Sequence, residues 1–281
     1  MKIIHKVSNA ETANSDYRDL YKVGAVAAFI AALIFRRNLD AEWILLRGIG
    51  FFNIGPSTPP STVIDWFTLL KQTPLLGLTL LNLFDLVNYA LVGVIFLALF
   101  AALKRTSPSW MGIAAALGFT GITVYFASNQ AFTMLSLSKQ YAAATTDTQR
   151  AMFLAAGQGA LAIHHTASYA STGIYLSFLL VSVAGLIIST AMLGSNIFSI
   201  GTASMGILAN GLGLGYYIVL AIAPALVFIP ISISAVFLLI WYILVGGRLW
   251  ALGSQRAARA LQAATCSGRR VPHKDNASQP L

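Results

Sequence analysis

Asp85 is the one acidic or basic residue set well inside an apolar run of this 281-residue chain. Ionisable groups in such runs are costly, and usually face a bundle interior or a water-filled space that serves an ion, a proton or a polar solute. Asn82 and Asn88 stand three residues to either side of it. On a helix that spacing keeps all three on one side, so they predict a polar stripe. Depth limits its chemistry. Leu86–Leu103 supplies about 27 Å of helix before Lys104 and Arg105 mark one membrane surface, so Asp85 is expected near the opposite boundary and not at the midplane. The same count from Trp110 brings Ser128, Asn129 and Gln130 to that level. His164, His165, Thr166 and Tyr169 open the fourth apolar run there, Tyr216 and Tyr217 close the fifth, and Arg36 and Arg37 end the first. The expectation is a polar vestibule at the extracytoplasmic mouth of a helix bundle, partly covered by residues 38–73. The competing expectation is that these are only the polar residues that membrane proteins carry at their interfaces.

No catalytic residue is predicted. The chain has no Gly-x-Ser-x-Gly elbow, His-Glu-x-x-His pair, Walker loop or dinucleotide glycine pattern after a strand. Adjacent helical residues point about 100° apart, so His164 and His165 cannot ligate one ion from one face. His5 and His273 lie in the terminal segments, which disfavours a bis-histidine haem. One histidine of the pair with Asp85 is the remaining geometric route to a metal, and a hydrogen-bonded interfacial histidine is preferred to it. No metal or other cofactor is expected. With Cys266 alone, neither an internal disulfide nor a cysteine metal site can form. Gly211-x-Gly213 lies inside an apolar run, no lysine sits mid-run for a Schiff base, and the paired broken helices of inverted-repeat transporters are not evident.

The elements that position these residues follow from composition. Hydrophobic residues make up 57% of the chain and charged residues 10%, more apolar surface than one soluble core can hide. The chain is therefore expected to be all-α, a polytopic transmembrane helix bundle of about six spans. Its formal charge of +9 is read as the Lys and Arg excess that flanks spans, not as an affinity for nucleic acid. The expected spans are Tyr21–Phe35, Pro74–Leu103, Trp110–Leu135, Leu161–Leu193, Ile197–Ala223 and Ala225–Leu249. The second and fourth exceed the roughly 20 residues a bilayer needs. They divide the chain into a polar N-terminus (1–20), a membrane domain (21–252) and a basic tail (253–281). The tail is expected to be disordered apart from a helical start at Ser254–Ala264. Met1–Leu20 has no apolar h-region, so the first span is expected to act as its own signal.

Two outer segments are long, 36–73 and 136–160. The first carries an amphipathic aromatic stretch, Trp43–Phe52, and a short helix, Asp65–Leu70. Trp43, Phe51, Phe52, Trp66 and Phe67 are expected in an interfacial layer on the outer leaflet. In the second, Thr146 and Gln149 have capping-box spacing and should start the helix that leads into span four. With the N-terminus inside, twelve Lys and Arg fall on inner segments and six on outer ones, which predicts both termini cytoplasmic. The Arg36–Arg37 pair on the outer side dissents. Gly206, Gly211 and Gly215 mark span five as a helix-packing surface; Gly211 and Gly215 have GxxxG spacing. Packing within the chain is preferred there to a dimer interface.

The order of features resembles a family of bacterial six-span membrane proteins catalogued only as a domain of unknown function. The resemblance rests on Val23–Leu39, Phe84–Leu103, Gln140–Ala162, Met192–Leu212 and Trp241–Leu252, and extends over residues 20 to 252. Gln158 departs from the pattern, which has an acidic residue there. The resemblance implies the fold class and a cytoplasmic-membrane location, and implies no activity.

Two functions fit the residues. One is a structural or accessory protein with a membrane-protein partner or a second copy, favoured by the scarcity of polar groups near the midplane beyond Asn210. The other is binding or transport of a small solute, lipid or proton through the vestibule around Asp85. If Asp85→Asn and Asp85→Leu both keep the folded yield yet abolish a pH- or solute-dependent response, the second holds. A loss of yield in Asp85→Leu alone makes the aspartate structural.

Overall fold

The computed structural model describes residues 15–47, 60–164, 172–226 and 228–267, with backbone alone at 15, 35–47, 163–164, 228 and 255–267. Among the described residues the regular structure is helical, without strands. Five stretches there are long and apolar enough to cross a membrane: Leu83–Leu103, Pro108–Ala143, Thr172–Leu193, Ile200–Ile222 and Pro224–Ser254. By the length and composition of its helices this is an integral membrane protein, whose spanning backbone must bond to itself.

Six long helices close a ring. α1 (Arg18–Arg47) runs beside α4 (Leu83–Leu103), which meets α5 (Pro108–Ser128). α5 packs on α8 (Thr172–Leu193), α8 on α9 (Ile200–Ile222), and α9 on α10 (Phe228–Ser267). α10 returns to α1, so the first and last helices are neighbours. Small residues set the spacing: a Cβ at Gly24 would collide with Ala98, and one at Gly118 would sit 2.6 Å from Phe96. Tyr21, Ala25, Phe96, Leu99, Ile188 and Trp241 are among the buried side chains of the ring's core.

A second body sits on one end of the ring. α2 (Val63–Gln72), α3 (Pro74–Leu80), α6 (Ala131–Ala143) and α7 (Asp147–His164) pack into a helical cap with its own core of Trp66, Phe67, Leu70, Leu81 and Met134. Trp66 and Phe67 are thus buried in the core of a folded cap instead of being laid out in an exposed layer as expected. Trp43 falls within α1, and Phe51 and Phe52 lie outside the described residues. Thr62 and Asp65 exchange reciprocal bonds that begin α2. Ser138 Oγ donates to the Phe67 carbonyl at 2.9 Å, tying α6 to α2. At Thr146 the expected cap is half made: Gln149 N donates to Thr146 Oγ1 at 3.2 Å, while Gln149 Oε1 accepts from Thr145 N.

Five boundaries differ from the expected runs, three of them where the cap forms. The run Pro74–Leu103 breaks at Asn82, whose φ of 62° is left-handed, a conformation asparagine tolerates better than most residues. The third run breaks at Asn129–Gln130, and the fourth is divided between α7 and α8. α1 continues through Arg36 and Arg37 to Arg47, and α10 runs past Leu252 to Ser267, so the first part of the tail prolongs a helix. At the end opposite the cap, Lys104 Nζ donates to the Tyr17 hydroxyl at 2.7 Å and lies over its ring, and Arg248 Nε donates to the Ile197 carbonyl.

Of the three glycines expected at a packing surface, Gly206 is packed, since a Cβ there would strike Ser189 Oγ and the buried indole of Trp241. Among the described residues Gly211 and Gly215 face open space, with nothing within 4 Å of an added Cβ. Their expected packing within the chain is not found, because α9 turns that side away from α8 and α10. Gly206→Ala should therefore lower the thermal midpoint in detergent by the equivalent of about 1–3 kcal/mol of overpacking. Gly211→Ala should leave it unchanged or raise it, since alanine favours the helix by up to about 1 kcal/mol.

Candidate functional site

The site grows from the first turns of α4. Asp85 stands in the first turn, where a carboxylate interacts favourably with the helix N-terminus. Asn88 follows one turn on and is buried. Tyr89, four residues after Asp85, lies on the same helix face. Its ring stacks on Tyr125 of α5 with centroids 3.9 Å apart and planes 2° from parallel. Asp85 is within electrostatic reach of both phenols.

Four helices complete the cluster. From α5 come Tyr125, 3% exposed, and Asn129 at its C-terminus. Asn129 Oδ1 accepts from Ala131 N at 3.0 Å and turns the chain into α6. α8 contributes Tyr175 and the fully buried Ser177, which lies beside Tyr89. α9 contributes Tyr216 and Tyr217, which form a ring cluster with Tyr175 and Phe178. The Tyr217 hydroxyl donates to the Tyr175 carbonyl at 2.6 Å. From α10, the buried Tyr242 lies against Asn88.

Hydrogen bonding sets this cluster apart. Asn88 Oδ1, Tyr125 OH, Asn129 Nδ2, Tyr175 OH and Ser177 Oγ are buried without a hydrogen-bond partner among the described residues. They account for five of the nine such atoms there. Each unsatisfied group costs about 1–3 kcal/mol, so native proteins keep few of them and seldom together. The polar seam between α8, α9 and α10 is the opposite case. Asn210 Nδ2 donates to the Gly206 carbonyl at 2.8 Å, Ser189 Oγ to Gly185 at 2.7 Å and Ser234 Oγ to Ala209 at 2.7 Å. Those side chains are spent on backbone and serve packing, with Trp241 Nε1 the unpartnered group among them.

The residues expected in a vestibule divide accordingly. Asp85 and Asn88 belong to this cluster, with Asn129, Tyr216 and Tyr217 at its edge. Asn82 forms the turn between α3 and α4, and Gln130 precedes the first turn of α6. Tyr216 and Tyr217 do not close their helix, which runs on to Ile222. Arg36 and Arg37 do not end theirs, and their side chains lie outside the described ones. His164 ends α7 in the cap instead of opening a span, its side chain outside the described ones, and His165 lies outside the described residues. Among the described residues, no group of three or more His, Cys, Asp and Glu could hold a metal ion. Sequence reasoning missed Tyr89, Tyr125, Tyr175, Ser177 and Tyr242. Two signals were present: Tyr89 and Tyr125 each stand four residues from a polar member of the set, Asp85 and Asn129.

No family model matches the sequence, and no match is found among curated proteins or solved structures.

The unpartnered atoms have a measurable consequence. Tyr125→Phe removes an unbonded hydroxyl while keeping the stacked ring, so it should leave the thermal midpoint unchanged or raise it. Tyr217→Phe breaks a formed bond and should cost about 1 kcal/mol, read as a lower midpoint in the same detergent.

Proposed function

We propose that this chain is a six-span membrane protein that binds a small polar solute in the chamber between α4, α5, α8, α9 and α10. The observation that carries this reading is the set of five buried polar atoms left without partners at the cap end of the ring. An accessory protein that only packs against neighbours gains nothing from such a set, whereas a binding site needs it. Buried polar atoms that make no hydrogen bond at standard geometry can bond an occupant, and that occupant repays their desolvation.

The sixth span in this reading is α1, buried between α4 and α10 over Tyr21–Ala32. The cap end is taken as extracytoplasmic and both termini as cytoplasmic. Lys22, Lys104, Arg105 and Arg248 at the opposite end of the ring support that orientation. The resemblance to six-span bacterial membrane proteins supports the span count. The accessory reading has one observation in its favour, the open face of Gly211 and Gly215 on α9, which would suit a second copy or another membrane protein.

A panel of small amines, amino acids, sugars, carboxylates and nucleosides, tested against the purified full chain by thermal unfolding, separates the two. At least one class should raise the midpoint of the wild type, by up to the equivalent of about 2.7 kcal/mol at a hundredfold excess over its Kd. The rise should vanish in Tyr125→Phe and Ser177→Ala. A panel that leaves the wild type unmoved, or shifts both variants equally, rules the binding reading out.

A further inference from the structure

Three of the nine buried polar atoms without a hydrogen-bond partner among the described residues belong neither to the cluster at the cap end nor to Trp241. They are Arg18 Nη1, the Tyr21 hydroxyl and Thr106 Oγ1. All three stand at the end of the ring opposite the cap, where α1 begins and α4 ends. Tyr21 follows Tyr17 by four residues and Arg18 by three, so the three share one side of the chain as it enters α1. That side meets the end of α4. Lys104 Nζ bonds the Tyr17 hydroxyl, and Arg105 is within electrostatic reach of the Tyr21 phenol. Thr106 completes the turn that carries Lys104 and Arg105, its amide donating to the Leu103 carbonyl at 2.9 Å.

Positive side chains at the end of a span are ordinary and need no ligand. Tyr21 is the unusual member. It is 1% exposed with its hydroxyl unbonded, so bulk water does not reach a group that costs free energy to leave unmade. The three orphaned groups share one capability. A guanidinium only donates, and the phenol and threonine hydroxyls each have a proton to give. Around them Arg18, Lys22, Lys104 and Arg105 outnumber the exposed Asp16 and Asp19 among the described side chains.

Donors and positive charge together suit an anion. A carboxylate offers two oxygens in one plane. A phosphate sets its oxygens tetrahedrally and can take bonds from α1 and from the turn after α4 at once, and the arginine fork matches it. The level fits too. Leu103 ends a stretch long and apolar enough to cross a membrane, so the turn after it stands where lipid phosphates lie.

We propose that this end of the ring holds a phosphate group. Arg18 Nη1 and the Tyr21 and Thr106 hydroxyls bond its oxygens, and Lys104 and Arg105 supply positive charge beside it. An anionic phospholipid headgroup and a free phosphate ester share this chemistry. The site is independent of any solute bound at the cap end.

Tritiated dioctanoyl phosphatidylglycerol, titrated onto the purified full chain in a scintillation proximity assay, tests this. It should bind saturably, with dioctanoylglycerol, which lacks the phosphate, and decanoate, an anionic amphiphile without one, at least tenfold weaker as competitors. Displacement by glycerol 3-phosphate at a concentration within tenfold of the unlabelled lipid assigns a free phosphate ester; resistance to it assigns the lipid headgroup. Tyr21→Phe and Thr106→Val remove no charge and should each weaken binding at least fivefold, and Arg18→Gln tenfold or more. Tyr21→Phe loses an unbonded hydroxyl, so its thermal midpoint without lipid should match or exceed the wild type. Should Arg18→Gln fail to fold, the two neutral variants decide. Attraction to positive charge in general would leave both neutral variants at wild-type affinity. Wild-type affinity in either of them, decanoate or dioctanoylglycerol competing as well as the phospholipid, or no saturable binding overturns the assignment.

Discussion

Inside hydrocarbon a peptide group finds no water, so each amide and carbonyl that crosses must bond within its own helix. That constraint shapes the rest of this molecule. α4, α5, α8 and α9 are unbroken over the lengths that cross, and the irregular residues Asn82 and Asn129–Gln130 fall where the bundle gives way to the cap. Apolarity cannot tell inside from outside here. Ile200, Ile218 and Ile222 of α9 point outward as freely as Leu99 and Ile188 point inward. Lipid tails solvate isoleucine as well as a protein core does, so size and polarity sort the interior instead. Its contact faces are Gly24 on Ala98, Gly185 on Asn210 and Gly206 on Trp241.

With backbone groups committed, side chains are the remaining source of polarity, and the molecule uses them in two ways. Between α8, α9 and α10, Asn210, Ser189 and Ser234 each return a bond to a helix carbonyl. This is local closure, and it lets small residues bring helices together with Trp241 Nε1 as the one group left unpartnered there among the described residues. In the chamber, asparagine and serine occur again beside tyrosines, and the bonds are not closed. The same residue types are therefore closed on backbone in one place and left unclosed in the other, and only their partners distinguish them.

How much could be read from the sequence follows from the same physics. Long apolar runs announced membrane helices, and Asp85 with Asn88 announced the polar end of α4. The overlong runs were misjudged because hydropathy registers burial without naming the solvent: Leu78 and Leu81 are buried in the cap, yet they look like an extension of the span that follows. The chamber was half legible. Its asparagines and aspartate stand out against leucine and valine, whereas Tyr89, Tyr125 and Tyr242 pass for ordinary apolar residues until their hydroxyls converge. Gly211 and Gly215 carried a spacing that speaks of close approach, but spacing does not say to what, and α9 presents them to open space.

The contact of α1 with α10 has a consequence for how the protein is made. In a chain inserted from its N-terminus α1 emerges well before α10, so the alanine face of α1 at Ala25, Ala28 and Ala32 must wait through the insertion of the helices between them for one of its two neighbours. Until then the ring is an open arc, and the chamber lacks the wall that carries Tyr242. Closure of the ring and closure of the polar cluster thus both await the arrival of α10.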